Sequence, residues 1–141
     1  MKSYDIGIAG EESAVLYLEK HGYEIISRRT RIGHSEVDII SRDSRDGTVV
    51  FVEVKTRRTY SEISGFYRSA GAAVDAKKQA YLTRAAEEYM RSHPNESVRI
   101  DVIEVYVDPV PDGDTYRVND IIHTENAVKK AGKFSLKNNR Y

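Results

Sequence analysis

The chain has 141 residues, no cysteine, and 22 lysines and arginines against 22 aspartates and glutamates, for a formal net charge of zero. That length fits one domain around one core, and the lack of cysteine excludes thiol nucleophiles, thiolate metal sites and a disulfide framework, in keeping with a reducing, cytoplasmic setting. Balanced charge excludes indiscriminate attraction to nucleic acid, so any such contact has to come from local patches.

The opening "MKSYDIGIAGEESAV" mixes acids into its apolar residues. It fails as a signal peptide, and no later stretch reaches membrane-spanning length, so no membrane contact is expected. From Ile8 to Lys20 the apolar residues Ile8, Val15, Leu16 and Leu18 recur at helical spacing, and His21-Gly22 supplies a stop. "YEIISRRTR" reads as a strand that begins apolar and ends basic, and "SEVDIISRD" as a second strand. "GTVVFVEVKT" is a third, β-branched and therefore central, joined to the second by the turn "RDSRDG". "RRTYSEISGFYRSAGAAVD" lacks periodicity and reads as a mobile loop, of a length that is often functional.

A second helix is predicted from Asp75 to Ser92, with Ala76, Ala80, Leu82, Ala86 and Met90 available to pack, ending before "HPN". "SVRIDVIEVYVD" is an alternating strand, "PVPDGD" a turn and "TYRVNDIIHT" a short strand with its exit, after which Thr124 is expected to cap a helix start. The order predicts a mixed α/β sheet with antiparallel hairpin strands and the second helix as a crossover. The acid-free run Lys129 to Arg140 reads as a basic tail.

Alternate positions of a strand share a face, so Glu36 and Asp38 point one way from the second strand, as do Glu53 and Lys55 from the third. Asp38 and Glu53 suit Mg²⁺ or Mn²⁺, and the Val54 carbonyl between Glu53 and Lys55 offers a further oxygen ligand. Lys55 is spaced to stabilise developing negative charge or orient a water. The competing reading is a same-face ion pair on an edge strand, worth about 0 to 1 kcal/mol. "VVFVEVK" is too apolar for such an edge, and charges on a buried strand are costly unless paired or coordinating a metal. "GEESA" adds carboxylates near the start of helix one.

The blocks "GIAGEESAVLYLEKHGYEIISRRTR", "SEVDII", "VVFVEVKTR", "AVDAKKQAYLTRAAEEY", "VRIDVIEV" and "IIHTENAV" closely resemble, in this order, the YraN-like family of small bacterial predicted endonucleases. The resemblance extends to the restriction-endonuclease-like PD-(D/E)xK superfamily and, more distantly, to archaeal Holliday-junction resolvases. It covers residues 1 to 128 as one nuclease-like domain and leaves 129 to 141 as the tail. It implies a restriction-endonuclease-like α/β fold, a mixed sheet flanked by helices, with a metal where the second and third strands diverge. Glu11 matches the acid of the family's G-E-x-x-A helix, Glu36 and Asp38 the acids of G-E-I-D, and Glu53 and Lys55 the E-V-K pair. Ser35 stands where the family usually has glycine, and "RRTR" lacks the asparagine of the family's "RNxR".

The function so implied is a metal-dependent DNA endonuclease in which Asp38, Glu53 and Val54 hold Mg²⁺ or Mn²⁺. Lys55, Glu11 and Glu36 act in catalysis, and Arg29, Arg31, Arg57, Arg58, Lys77 and Lys78 grip the DNA backbone without reading sequence. Branched or structured DNA is the substrate suggested by the resolvase likeness, and a symmetric cut of two strands suits a homodimer. The alternative is a nuclease-fold module that binds nucleic acid and recruits partners without cutting. The four histidines, His21, His34, His93 and His123, have no partners at metal-ligand spacing and read as surface or capping residues, although the block "IIHTENA" around His123 reads as packing and a helix start. Tyr17, Tyr81 and Tyr89 read as core edges, and only Tyr60, Phe66 and Tyr67 of the long loop as a set for base contact.

Overall fold

The computed structural model describes residues 3–58, 75–110 and 116–128. Helix α1 spans Ser3–Lys20, followed by strands β1 (Tyr23–Ile32), β2 (Ser35–Asp43) and β3 (Val49–Arg58). Helix α2 spans Ala76–Ser92, and strands β4 (Val98–Pro109) and β5 (Tyr116–Thr124) follow. The five strands form one sheet in the order β1-β2-β3-β4-β5. All neighbours are antiparallel except β3 and β4, which run parallel across the connection that carries α2. A mixed sheet flanked by helices is the arrangement that the resemblance implies.

β3 is the central strand, and its side chains divide between two cores. Val49 and Phe51 pack with Leu82, Ala85 and Ala86 of α2, while Val50 and Val52 pack with Ile6, Ala14 and Leu18 of α1. Apolar residues on both faces are what a strand covered on both sides requires. The same holds for β4, where Val98 to Val107 are all buried, so the alternation expected there is absent.

Several details differ from the expectations. α1 begins at Ser3, and its buried stripe is Ile6, Gly10, Ala14 and Leu18, four residues apart. Leu16, counted among the packing residues, is 66% exposed. The helix presents small residues to the sheet so that it can approach closely, and that stripe has little hydrophobic contrast. Ala76 and Ala80 are exposed because the buried residues of α2 begin at Leu82. Thr124 ends β5 and caps no helix among the described residues; a turn through Glu125 and Asn126 follows, with Asn126 at φ 53°. The loop aromatics Tyr60, Phe66 and Tyr67 and the tail lie outside the described residues.

Candidate active site

β2 and β3 pair only from Arg42 opposite Val49 to Ile39 opposite Val52. Beyond Ile39 the strands part, and Asp38 is the first residue of β2 past the fork. Its Oδ2 accepts the Val54 backbone N–H at 2.8 Å. The carboxylate thus takes a donor that the interrupted ladder leaves over, and this bond fixes the acid in the fork.

Glu53 lies across from it on β3 and is 5% exposed. Lys55 Nζ stands 3.7 Å from its Oε2 and Lys78 Nζ of α2 3.8 Å from its Oε1. Both separations exceed a hydrogen bond, and Oε1 is buried with no hydrogen-bond partner among the described residues. Burial first, and then the charge of Asp38, push the Glu53 carboxyl up to about 7, against the pull of the two lysines. A buried carboxyl set beside a second, half-buried one, with one oxygen left over, is electrostatically incomplete.

α1 closes the site from the side. A Cβ on Gly10 would overlap the Thr56 hydroxyl, so only glycine lets the helix rest on β3 here. Glu11, the next residue, lines a cleft of about 650 Å³ together with Arg29, Glu36, Asp38, Glu53, Val54 and Arg58. Glu11 Oε1 accepts from Arg29 Nε at 3.0 Å and lies 3.6 Å from Arg28. Its neighbour Glu12 is 56% exposed and pairs with Arg28 at 2.9 Å.

Among the described residues no three acidic or histidine side chains form a ready-made metal cage. The donor set nevertheless fits a hard cation such as Mg²⁺, which is usually held by one or two carboxylates with substrate phosphate and water completing its shell. The Glu53 Oε1 beside Asp38, which takes no hydrogen bond from the described residues, is the feature that such an ion would satisfy.

The basic residues singled out in the sequence separate. Arg29 and Arg58 line the cleft, Arg58 also donating to the Tyr116 hydroxyl at 3.0 Å. Lys78 faces the acids and donates to the Glu36 carbonyl at 3.3 Å. Arg57 turns instead to the fully buried Glu104, donating to its Oε2 at 3.2 Å. Arg31 is exposed on β1 opposite Glu36, and Lys77 lies over the Tyr81 ring.

Two parts of this arrangement escaped the sequence reading. Lys78 reaches Glu53 from a helix 25 residues away in the chain, and no local pattern signals that. Glu104 had a signal, since it is an acid in the apolar run "DVIEVYV", and the reasoning that singled out Glu53 applies to it equally.

A family model described as "Uncharacterised protein family UPF0102" matches residues 10–105. The UPF0102 protein of Caldicellulosiruptor saccharolyticus is 40% identical over 109 residues, covering 76% of this chain and 86% of the relative. That of Symbiobacterium thermophilum is 43% identical over 110 residues, covering 77% and 86%. Among solved structures, a repair endonuclease from Pyrococcus abyssi aligns with 79% of this chain and 40% of its own, at 20% identity and a TM-score of 0.44. The structure of an EndoMS–dsDNA2 complex aligns with 63% of this chain and 32% of its own, at 26% identity and a TM-score of 0.40.

Proposed function

This chain belongs to the UPF0102 family, and we propose that it is a metal-dependent endonuclease that hydrolyses DNA phosphodiester bonds at the fork between β2 and β3. The observation that carries the reading is the buried Glu53 beside the half-buried Asp38, with a Glu53 oxygen that takes no hydrogen bond from the described residues and two lysines alongside. Carboxylates facing a phosphate repel it unless a cation stands between them. Asp38 and Glu53 would hold Mg²⁺ or Mn²⁺, with the Val54 carbonyl as a further candidate ligand. When bound, the ion supplies Lewis-acid polarisation of the phosphoryl group and a more acidic water.

The chain's own residues do the rest. Asp38 is oriented by the Val54 N–H. Lys55 and Lys78 bring positive charge to the point where negative charge develops on the phosphate. Glu11, braced by Arg28 and Arg29, stands ready with Glu36 to orient water at the cleft wall. Arg29 and Arg58 meet the flanking backbone, which positions DNA without reading its sequence.

The test is cleavage of linear, single-stranded, flapped and four-way-junction DNA with Mg²⁺ or Mn²⁺ by wild type, Asp38→Ala and Lys55→Ala. Metal-dependent cutting that each substitution lowers by about a hundred-fold or more, with folding intact, is the expected result. Binding without cutting by wild type on every DNA and with either metal would overturn catalysis and leave a binding module.

A further inference from the structure

A second cleft, about 510 Å³, opens between the β1–β2 turn at Gly33 and His34 and one stripe of α2. Tyr81, Arg84, Glu88 and Arg91 line it at three- and four-residue spacing, with Glu87 beside them. Tyr81 belongs to neither core cluster, against the expectation that it packs as a core edge. Its ring instead has two cations near it, with Lys77 Nζ at 5.9 Å and Arg84 Cζ at 5.1 Å from the centroid. The helix is tied down here, because the Ser35 hydroxyl donates to the Tyr81 carbonyl at 3.0 Å. Ser35 precedes Asp38 by three residues of extended strand, so the helix backbone at Tyr81 is anchored about 10 Å along the strand from Asp38.

We propose that this cleft receives an unpaired nucleobase of the DNA strand held at the active site. The base face stacks on Tyr81 with the Arg84 guanidinium alongside, a pairing of planes that suits any base. Glu87 and Glu88 accept from the N–H groups of its edge, as carboxylates accept from the cytosine amino group. Lys77 and Arg91 meet the adjoining phosphates. Two acids make the cleft a poor site for phosphate alone, and a base stacked within a duplex cannot offer its face to a side chain. Gly33, at φ 60°, keeps the turn low over Glu88, whose Oε2 would lie 3.0 Å from a Cβ at that position. This inference rests on the nuclease reading and narrows its substrate to DNA with a single-stranded or extruded nucleotide.

The probe is 2-aminopurine, placed at an unpaired position of a flapped duplex or within a fully paired duplex of the same length. Binding to the full chain is followed by anisotropy and fluorescence in Ca²⁺. Wild type is expected to quench the flapped probe and bind it about ten-fold or more tightly than the paired one. Tyr81→Ala and Arg84→Ala should lose both effects with paired-duplex affinity unchanged, and Tyr81→Phe should keep them. Equal binding of the two DNAs by wild type overturns the inference, as does unaltered flap binding and quenching in folded Tyr81→Ala and Arg84→Ala. Tyrosine-dependent binding in a protein that cuts nothing would sink the nuclease reading and leave the cleft. Cutting of paired and flapped DNA alike, unaffected by Tyr81→Ala, would do the reverse.

Discussion

Glu53 holds its proton to a higher pH than a carboxyl in water does, because burial and the neighbouring Asp38 both oppose its charge. Its folded-state value of about 7 stands above the ordinary 4.5, so folding favours the protonated form. That contribution to stability is whole below about 4.5 and is lost as pH rises through 7. The metal-free protein should therefore melt at progressively lower temperature between pH 5 and pH 8, by a few kcal/mol of stability in all. Glu53→Gln should flatten that slope, and added Mg²⁺ should restore wild type at pH 8. An unchanged slope in Glu53→Gln would assign the pH dependence elsewhere. Asp38 gives a complementary pair of variants. Asp38→Asn keeps an acceptor for the Val54 N–H and relieves Glu53, so its stability should match or exceed wild type while metal affinity falls. Asp38→Ala strands that N–H at a cost of about 1 to 3 kcal/mol, and denaturant unfolding of the two would show the difference. At this scale the acids were legible in the sequence, because charges at alternate positions of apolar strands stand out. Lys78 was named only as a backbone contact, and its place beside Glu53 was not legible, since that partner lies on another element.

The elements differ in how plainly the sequence announced them. β2 occupies the stretch expected, and β1 and β3 differ by one or two residues at their ends, because β-branched runs and turn residues punctuate this part of the chain. α2 begins where Asp75 accepts the Lys78 N–H as an N-cap, and the sequence placed that start correctly. α1 was recognised as a helix but not by its contact face, since Gly10 and Ala14 carry almost no hydrophobic signal. Gly10→Ala tests that face. A methyl group against Thr56 should cost about 1 to 3 kcal/mol by overpacking and displace Glu11 from the cleft. Thermal unfolding should register the loss, and the double variant Gly10→Ala with Thr56→Ala should recover much of it. No recovery would mean that the contact with Thr56 is not what demands glycine.

Across the whole molecule, a buried polar network fastens the ends of the elements to one another. Arg99 of β4 donates to Asp101 at 3.0 and 3.1 Å, to Asp43 of β2 at 3.0 Å and to the Tyr23 hydroxyl of β1 at 2.9 Å. Asp101 also meets His123 Nε2 of β5 at 2.7 Å and accepts the Asn126 N–H at 2.9 Å. His123 Nδ1 reaches the Tyr17 hydroxyl of α1 at 3.2 Å. The His123 side chain is only 7% exposed, which fits the packing expected of its block and not a surface or capping role. Its partners lie 22 and 106 residues away, beyond any spacing rule. Asp101→Ala leaves Arg99 buried without its main partner, and a loss of about 3 to 5 kcal/mol is expected. Burial alone would raise the Asp43 carboxyl, but its bonds to Arg45 and Arg99 outweigh that and hold it well below the usual carboxylate range. Its contribution is therefore present above pH 4 and lost as acid is added below that point. Arg99→Met should remove part of that acid sensitivity, measured as the midpoint of acid unfolding.

The parallel pairing of β3 with β4 also governs how the molecule assembles in time. Val49 lies opposite Val98, so the central strand finds its second neighbour only after about fifty further residues of chain have been made and looped back. Contacts of that sequence separation bear a large closure entropy and form slowly. During synthesis, α1 and the β1–β2–β3 meander emerge first, with one edge of an unusually apolar strand still open. Until β4 arrives, that edge can pair with the wrong chain, and the interval before it is sealed is when the protein is most exposed to aggregation.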